Sequence, residues 1–367
     1  MAITSYNFHP IMATRLVNAL PPLQKSPAAW LGPAMAAAPS RWTWAMRESE
    51  VREVEAAADA FLESDLPVAA LATPGNFALP TLAPRLRALR QELIHGRGFE
   101  LVRGLPLHEW SAEKAAAAFV GIGAQIGSLR SQNKQGHLLG TVADIGAASD
   151  DPSVRIYQTA ERQTFHVDSC DVVALACIYP AQSGGNSLLS SALSAWNALH
   201  ARTPALAAAL LDPVAIDRRG EVPRGMDPWF ISAPLVWHDK LLGVGAGYQR
   251  QYIDSAQRHA GAPRLSALQT DALDAFDALL DDPSLRLEMR LASGDLQFVY
   301  NHTLLHDRTA FVDSVDGEEE RRKLYRLWLS PVDDRSLPDA FADRFGSTAV
   351  GDRGGILCPG TEPTLGL

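Results

Sequence analysis

Apolar and polar positions recur along this chain with two different periods, and the change from one to the other divides it. From Glu48 to Ser64, Val51, Val54, Ala58, Phe61 and Leu62 recur every three or four residues, which predicts an amphipathic helix. Glu48, Glu50 and Glu53 suit its positive N-terminal end. Leu82, Leu86, Leu89 and Leu93 predict a second helix ended by Gly96 and Gly98. Phe99 to Val102 reads as a short strand closed by Gly104 and Pro106, and a third helix is expected from about Ser111 to Ile126.

Past that point short β-rich runs take over. They are Leu138 to Val142, Val154 to Thr159, Val172 to Tyr179, Val214 to Ile216, Phe230 to Trp237, Leu241 to Val244 and Leu296 to Tyr300. Gly, Pro, Asn and Asp clusters separate them, and helices are expected at about Leu193 to Leu211 and Ser266 to Leu280. Many short strands with turn punctuation predict a sandwich or jelly roll in an α+β, mainly β chain. Residues 1–95 read as an N-terminal arm and helices packed on the core, 96–343 as the jelly-roll domain and 344–367 as a C-terminal tail, all in one structural unit. The arm, Met1 to Arg47, is irregular in pattern and holds Trp30, Trp42 and Trp44; the tail, from Gly346, is rich in Gly, Pro and Thr.

Composition narrows the function classes. The 367 residues suffice for a sizeable core, and a 47% hydrophobic, 20% charged chain suits a globular protein rather than a disordered one. A net charge of −9 leaves no basic footprint for nucleic acid. Cys170, Cys177 and Cys358 form no Cys-x-x-Cys pair and no even framework, so a reducing compartment is expected. Met1 to Leu23 lacks the pattern of a signal peptide and no run is apolar enough for a membrane helix, so a cytoplasmic location without membrane partners is expected. No Gly-x-Gly-x-x-Gly follows a strand, and neither a phosphate loop nor an internal repeat is present.

Candidate chemistry centres on Thr164-Phe165-His166-Val167-Asp168. In a strand, residues two apart share a face, so His166 and Asp168 project together roughly 6–7 Å apart. Such a pair suits one metal ion, and the third ligand is sought in Leu304-Leu305-His306-Asp307-Arg308, just beyond the strand launched by the Gly294-Asp295 turn. Two imidazoles and one carboxylate leave the other positions of an ion open, as in non-heme Fe(II) oxygenases. His302 competes for the third place but reads as a hydrogen-bonded loop histidine. An ordinary ion pair or turn accounts equally for an isolated His-x-Asp. Arg326 sits among Leu324, Tyr325, Leu327, Trp328 and Leu329, an apolar setting in which a guanidinium needs an anionic partner, either an internal carboxylate or a ligand.

Phe165-His166-Val167-Asp168-Ser169, Ser183-Gly184-Gly185-Asn186-Ser187, Gly294-Asp295, Asn301, Leu305 to Phe311 and Arg321 to Arg326 follow one another in order. Over about Phe99 to Ser330 the sequence thereby resembles the taurine dioxygenase-like family (TauD/TfdA, clavaminate synthase-like), Fe(II)- and 2-oxoglutarate-dependent oxygenases. The resemblance implies a double-stranded β-helix core with flanking and inserted helices. It implies that His166, Asp168 and His306 hold iron, and that Arg326 and Ser187 bind the distal carboxylate of 2-oxoglutarate. Ser187 stands where the family usually has Thr, and Asn186 where it has Asp. Arg322 falls near a position that meets an acidic group of the substrate in some relatives. The implied reaction uses O2, releases succinate and CO2 and oxidises a substrate C–H bond. Asp168 favours hydroxylation, because halogenating relatives lack that carboxylate; desaturation, ring formation and epoxidation use the same ligands. Gln132, Asn133, Arg155, Tyr157 and Gln158 are candidate contacts to a small polar or anionic metabolite. Two other classes stay open on these residues: a Zn- or Mn-dependent hydrolase or cupin-like isomerase, and a non-catalytic metabolite-binding protein. A homo-oligomer stays open too.

Overall fold

The computed structural model describes residues 20–147, 155–222, 225–238, 243–314, 321–356, 358 and 362–366. Its arm contains helix α1 (Gly32–Ala36) and strand β1 (Thr43–Ala45). Helices α2 (Glu48–Leu62) and α3 (Ala83–His95) precede strand β2 (Phe99–Arg103), and Ser111 caps α4 (Ala112–Ile126) by accepting from the Lys114 amide. Six strands follow: β3 (Ser128–Arg130), β4 (Leu139–Val142), β5 (Gln163–His166), β6 (Val172–Tyr179), β7 (Ser183–Gly184) and β8 (Ser187–Ser191). Helices α5 (Ala192–Arg202) and α6 (Pro204–Ala209) lead to β9 (Val214–Asp217), β10 (Trp229–Ser232), β11 (Leu235–His238) and β12 (Gly243–Ala246). Then come α7 (Arg250–Ala256), α8 (Ala267–Leu280), β13 (Leu287–Met289), β14 (Leu296–Tyr300), β15 (Leu304–Arg308), β16 (Phe311–Val312), β17 (Lys323–Ser330) and α9 (Ala342–Phe345).

Two sheets carry the architecture. The larger runs β1-β2-β14-β6-β17-β3, with β4 also on β17; the smaller runs β13-β8-β15-β5. Strand alternation sorts side chains into layers. Leu296, Phe298 and Tyr300 of β14 and Tyr325, Leu327 and Leu329 of β17 pack outward against α2, α3 and α4. The alternate residues, Val299, Leu324 and Trp328, face inward and meet Leu189, Leu287, Met289 and Leu304 of the smaller sheet. The outer face of that sheet, with Phe165, Leu188 and Leu305, is covered by α5, α6 and α8. Gly294 launches β14 at φ +82°, with Leu105 O only 1.8 Å from where a Cβ would stand, so only glycine fits this turn.

The structure departs from the sequence pattern in several places. Val154 lies outside the described residues, and the rest of the expected strand at Val154 to Thr159 contains a 3-10 turn over Ile156–Gln158, where Gln158 Oε1 accepts from the Arg155 amide. The helix expected from Leu193 to Leu211 breaks at Thr203, because Pro204 has no N–H to continue the ladder. Pro234 likewise splits Phe230 to Trp237 into β10, which pairs β9, and β11, which pairs β12. Leu241 and Leu242 lie outside the described residues, as do residues 1–19, where no signal peptide was expected. Trp30 and Trp42 of the arm are buried, and β1 extends the larger sheet in parallel with β2. The described part of the C-terminal segment is tied to the core. Arg353 is 0% exposed and ion-paired to Asp171 and Asp334, and the Gly355 amide donates to Ser169 O. Among the described residues no helix is long and apolar enough to cross a membrane, and all three cysteines are free.

Candidate metal centre and substrate cavity

Strands β5 and β15 are antiparallel neighbours, with His166 directly opposite His306 and a register shift just beyond. This pairing brings residues remote in sequence onto one inward face, and Asp168 follows where β5 ends. The rings of His166 and His306 lie 4.2 Å apart between centroids. His166 Nε2 is 3.9 Å from Asp168 Oδ1 and His306 Nε2 is 3.8 Å from Asp168 Oδ2. One ligand atom from each of the three falls within 4.8 Å of the others, a spacing that one ion can bridge.

The surroundings prepare these atoms. His166 Nδ1 lies 2.8 Å from Thr164 O. A carbonyl only accepts, so Nδ1 carries the proton and Nε2 presents its lone pair to the site. There the Gln163 amide donates to it at 3.0 Å. Burial, and then the neighbouring His166, pushes His306 down to about 3, and burial also lowers His166. Burial opposes ionisation of Asp168, but Arg326, the two imidazoles and the Trp328 indole together hold it at about 2. Neutral imidazoles beside an ionised carboxylate are the protonation state a cation needs. The fit extends to the partners around the set. Trp328 Nε1 donates to Asp168 Oδ2 at 2.9 Å, Asn301 accepts from the Asp168 amide, and Arg162 binds Asp307 beside His306.

Asp168 opens onto a cavity of about 320 Å³ lined also by Gln132, Arg155, Tyr157, Arg326 and Trp328. Arg326 Nη1 is 3.4 Å from Asp168 Oδ2, Arg326 Nε donates to Gln132 Oε1 at 2.8 Å, and the guanidinium lies over Tyr157. Arg155 binds Glu221 and the Tyr252 hydroxyl. Asn133 and Gln158 do not line this cavity. Asn133 accepts from the Gln135 and His137 amides of its own turn, and Gln158 caps its 3-10 turn. Ser187 is buried on β8, its hydroxyl on Gln297 Oε1 at 2.9 Å.

Arg322 lies away from the main cavity, beside a small pocket formed with Gly184, Gly185, Arg290 and Cys177. It is 5% exposed and stacked on Phe311, and its Nη1 is buried without an acceptor. Burial pulls it down to about 10. His302 Nε2 donates to Asp171 at 2.7 Å in a second group with Asp334, where the guanidinium of Arg353 already occupies the cationic place. Sequence reasoning missed Trp328, Gln163 and Arg344 as site residues. Trp328 was within reach, being two residues from Arg326 on one strand; Arg344 lies near the end of the chain and carries no such signal.

Over residues 64–328 the chain matches the family model described as taurine catabolism dioxygenase TauD, TfdA family. It is 30% identical over 319 residues to FR-33289 synthase of Streptomyces rubellomurinus, spanning 85% of this chain and 92% of that one. It is 29% identical over 293 residues to taurine hydroxylase-like protein SAT17 of Stachybotrys chartarum, spanning 77% and 73%. Among solved structures, asparagine oxygenase in complex with Fe(II), 2S,3S-3-hydroxyasparagine and succinate aligns with a TM-score of 0.61 at 18% identity, over 79% of this chain and 93% of that one. Non-heme iron oxygenase OrfP with Fe and alpha-ketoglutaric acid aligns at 0.56 and 15% identity, over 78% and 93%. These structures share the fold. With a family match over most of its length, the chain belongs to the TauD/TfdA family and is an Fe(II)- and 2-oxoglutarate-dependent dioxygenase.

Proposed function

We propose that the protein hydroxylates an unactivated C–H bond of a small polar metabolite bound in the cavity beside Asp168, with His166, Asp168 and His306 holding the iron. The two facing sheets are read as the double-stranded β-helix of this family. What supports the assignment is the convergence of two neutral imidazoles and one carboxylate at the wall of a cavity. When bound, ferrous iron supplies the O2 activation that couples decarboxylation of 2-oxoglutarate to substrate oxidation. The chain supplies position and a dry site. Thr164 fixes the His166 tautomer, and Trp328 holds one oxygen of Asp168 so that the carboxylate cannot rotate freely. Gln163 must leave His166 Nε2 when a metal arrives there, which frees its amide to donate elsewhere in the cavity.

Arg322, just before β17, and Arg326, within it, divide the anions in the opposite sense from what the resemblance implies. Arg326 is already engaged by Asp168 and Gln132 and lines the main cavity, which suits contact with the primary substrate. Arg322, buried with a free Nη1, suits the distal carboxylate of 2-oxoglutarate, with the inward hydroxyl of Ser187 as a second donor. Gln132, Tyr157 and Arg155 remain substrate contacts in this reading; Asn133 and Gln158 do not. The test is anaerobic reconstitution with Fe(II) and 2-oxoglutarate, watched for the weak visible charge-transfer band of the chelate. Metal-loaded protein that shows no band would overturn the assignment. A screen of metabolites for substrate-stimulated succinate then identifies the substrate.

A further inference from the structure

The cavity beside Asp168 is lined by four arginines, Arg155, Arg218, Arg326 and Arg344, and by four carboxylates, Asp168, Asp217, Glu221 and Asp343. Most of these charges already have partners. Arg326 reaches Asp168, and Arg155 is paired with Glu221. Asp217 is engaged by Ser255, His259 and Arg258, and Asp343 is exposed.

Arg344 and Arg218 are the exceptions: neither forms an ion pair among the described residues. Arg344, on α9, is 9% exposed and donates to two neutral carbonyls, Val167 O at 2.7 Å and Gly247 O at 3.0 Å. Its Nε is buried with no acceptor. Arg218 follows β9, lies over Phe230 at 4.9 Å, and also has a buried Nε with no acceptor. Burial opposes the charge of both, drawing Arg344 down to about 10 and lowering Arg218. Asp343 and Asp227 attract Arg218, and Asp168 attracts Arg344, all without forming an ion pair; burial still outweighs them, and an anion entering the cavity relieves the remaining cost. A cation shared by the metal ligands also weakens the hold of Asp168 on Arg326, which leaves the walls still more positive.

We propose that Arg344 and Arg218 form an oxyanion subsite, so that the primary substrate carries a carboxylate, phosphonate or sulfonate group held away from the reacting carbon. The subsite depends on the oxygenase reading only in taking its occupant to be the substrate. Arg344 is the buried anchor, since Val167 O and Gly247 O fix its plane beside the His-x-Asp segment. Arg218, half-buried, sits on the same cavity and is open to substitution without disturbing the core.

The test uses the full chain held anaerobically with Fe(II) and saturating 2-oxoglutarate, so that the co-substrate's own anion contacts are filled. Calorimetric titration with methylphosphonate, methanesulfonate and acetate is expected to show saturable binding of at least one, with Kd about 1 mM. The preferred anion distinguishes a tetrahedral from a planar group. Arg218→Gln and Arg344→Gln are each expected to weaken binding about tenfold or more, the loss of a charge-assisted contact. Arg286→Gln, in a pair with Asp281 and Glu288 outside the cavity, leaves binding unchanged. No saturable binding of any of the three anions overturns the proposal, as does wild-type affinity in Arg218→Gln. The charge-transfer band separates the two ideas. Its absence in the wild type alongside intact anion binding removes the oxygenase reading and spares the subsite, whereas a normal band without anion binding does the reverse.

Discussion

Asp168 is the residue on which most of the local chemistry converges: both imidazoles, Arg326 and the Trp328 indole meet its two oxygens. Asp168→Ala or His166→Ala removes one of three ligands, and iron retention after gel filtration should fall to background; full activity in either variant refutes the ligand assignment. Trp328→Phe keeps the ring but removes the donor to Asp168, and iron affinity should drop about 10- to 100-fold, as for other partners of metal ligands. The arginines give a sharper contrast. Arg322→Ala should raise the apparent KM for 2-oxoglutarate by two or more orders of magnitude, about 3 kcal/mol or more for a buried charge-assisted contact. Arg326→Ala should chiefly raise succinate release uncoupled from product. If steady-state kinetics show the reverse pattern, the original family correspondence, with Arg326 on 2-oxoglutarate, is restored.

At the scale of elements, β17 shows how one strand serves two purposes. Tyr325, Leu327 and Leu329 seal the helical layer, while Arg326 and Trp328 face inward toward the cavity and Asp168. The segment after β17 closes the site, because Arg353 joins it to Asp171 and Asp334 in a fully buried network. Burial raises the pKa of Asp171, but His302, Arg353 and Ser330 outweigh it and hold the carboxyl below its usual range. At Asp171 the native state therefore binds fewer protons than the unfolded chain, so its contribution is complete above the ordinary carboxylate pKa of about 4 and is lost as pH falls through the lower native value; Asp334, pushed up by burial and by Asp171, offsets part of it. Arg353→Met leaves the carboxylates uncompensated and should cost about 3–5 kcal/mol at pH 7 in urea unfolding. The gap to wild type should shrink below about pH 4 as the carboxylates protonate. A gap that does not respond to acid would mean that packing, not charge, holds this segment.

For the molecule as a whole, two sheets face each other with helices on both outer sides, and the site lies where the smaller sheet meets β17. Ligands that bind only the native state stabilise it by mass action, about 2.7 kcal/mol at a hundredfold excess over Kd. Fe(II) and 2-oxoglutarate together should therefore raise Tm by at least a few degrees under argon. The increment from 2-oxoglutarate should vanish in Arg322→Ala. If 2-oxoglutarate raises Tm equally in that variant, its distal carboxylate is held elsewhere.

Much of this was legible in the chain. Helical stripes such as Val51 to Leu62 are local, because helix period is set within a few residues, and they led directly to α2 and α3. The ordered motifs pointed to His166, Asp168 and His306, and the structure brings these together because β5 pairs β15. What no linear pattern carried was the separation of Arg322 from Arg326, four residues apart in sequence, the one beside a small pocket with Gly184 and Gly185 and the other lining the main cavity. That depends on which cavity each guanidinium reaches. Nor did the Gly- and Pro-rich end announce that Arg344 and Arg353 would be buried. A charge is driven inside only where distant carboxylates, carbonyls or a ligand compensate it, and those partners become neighbours only once the chain has folded.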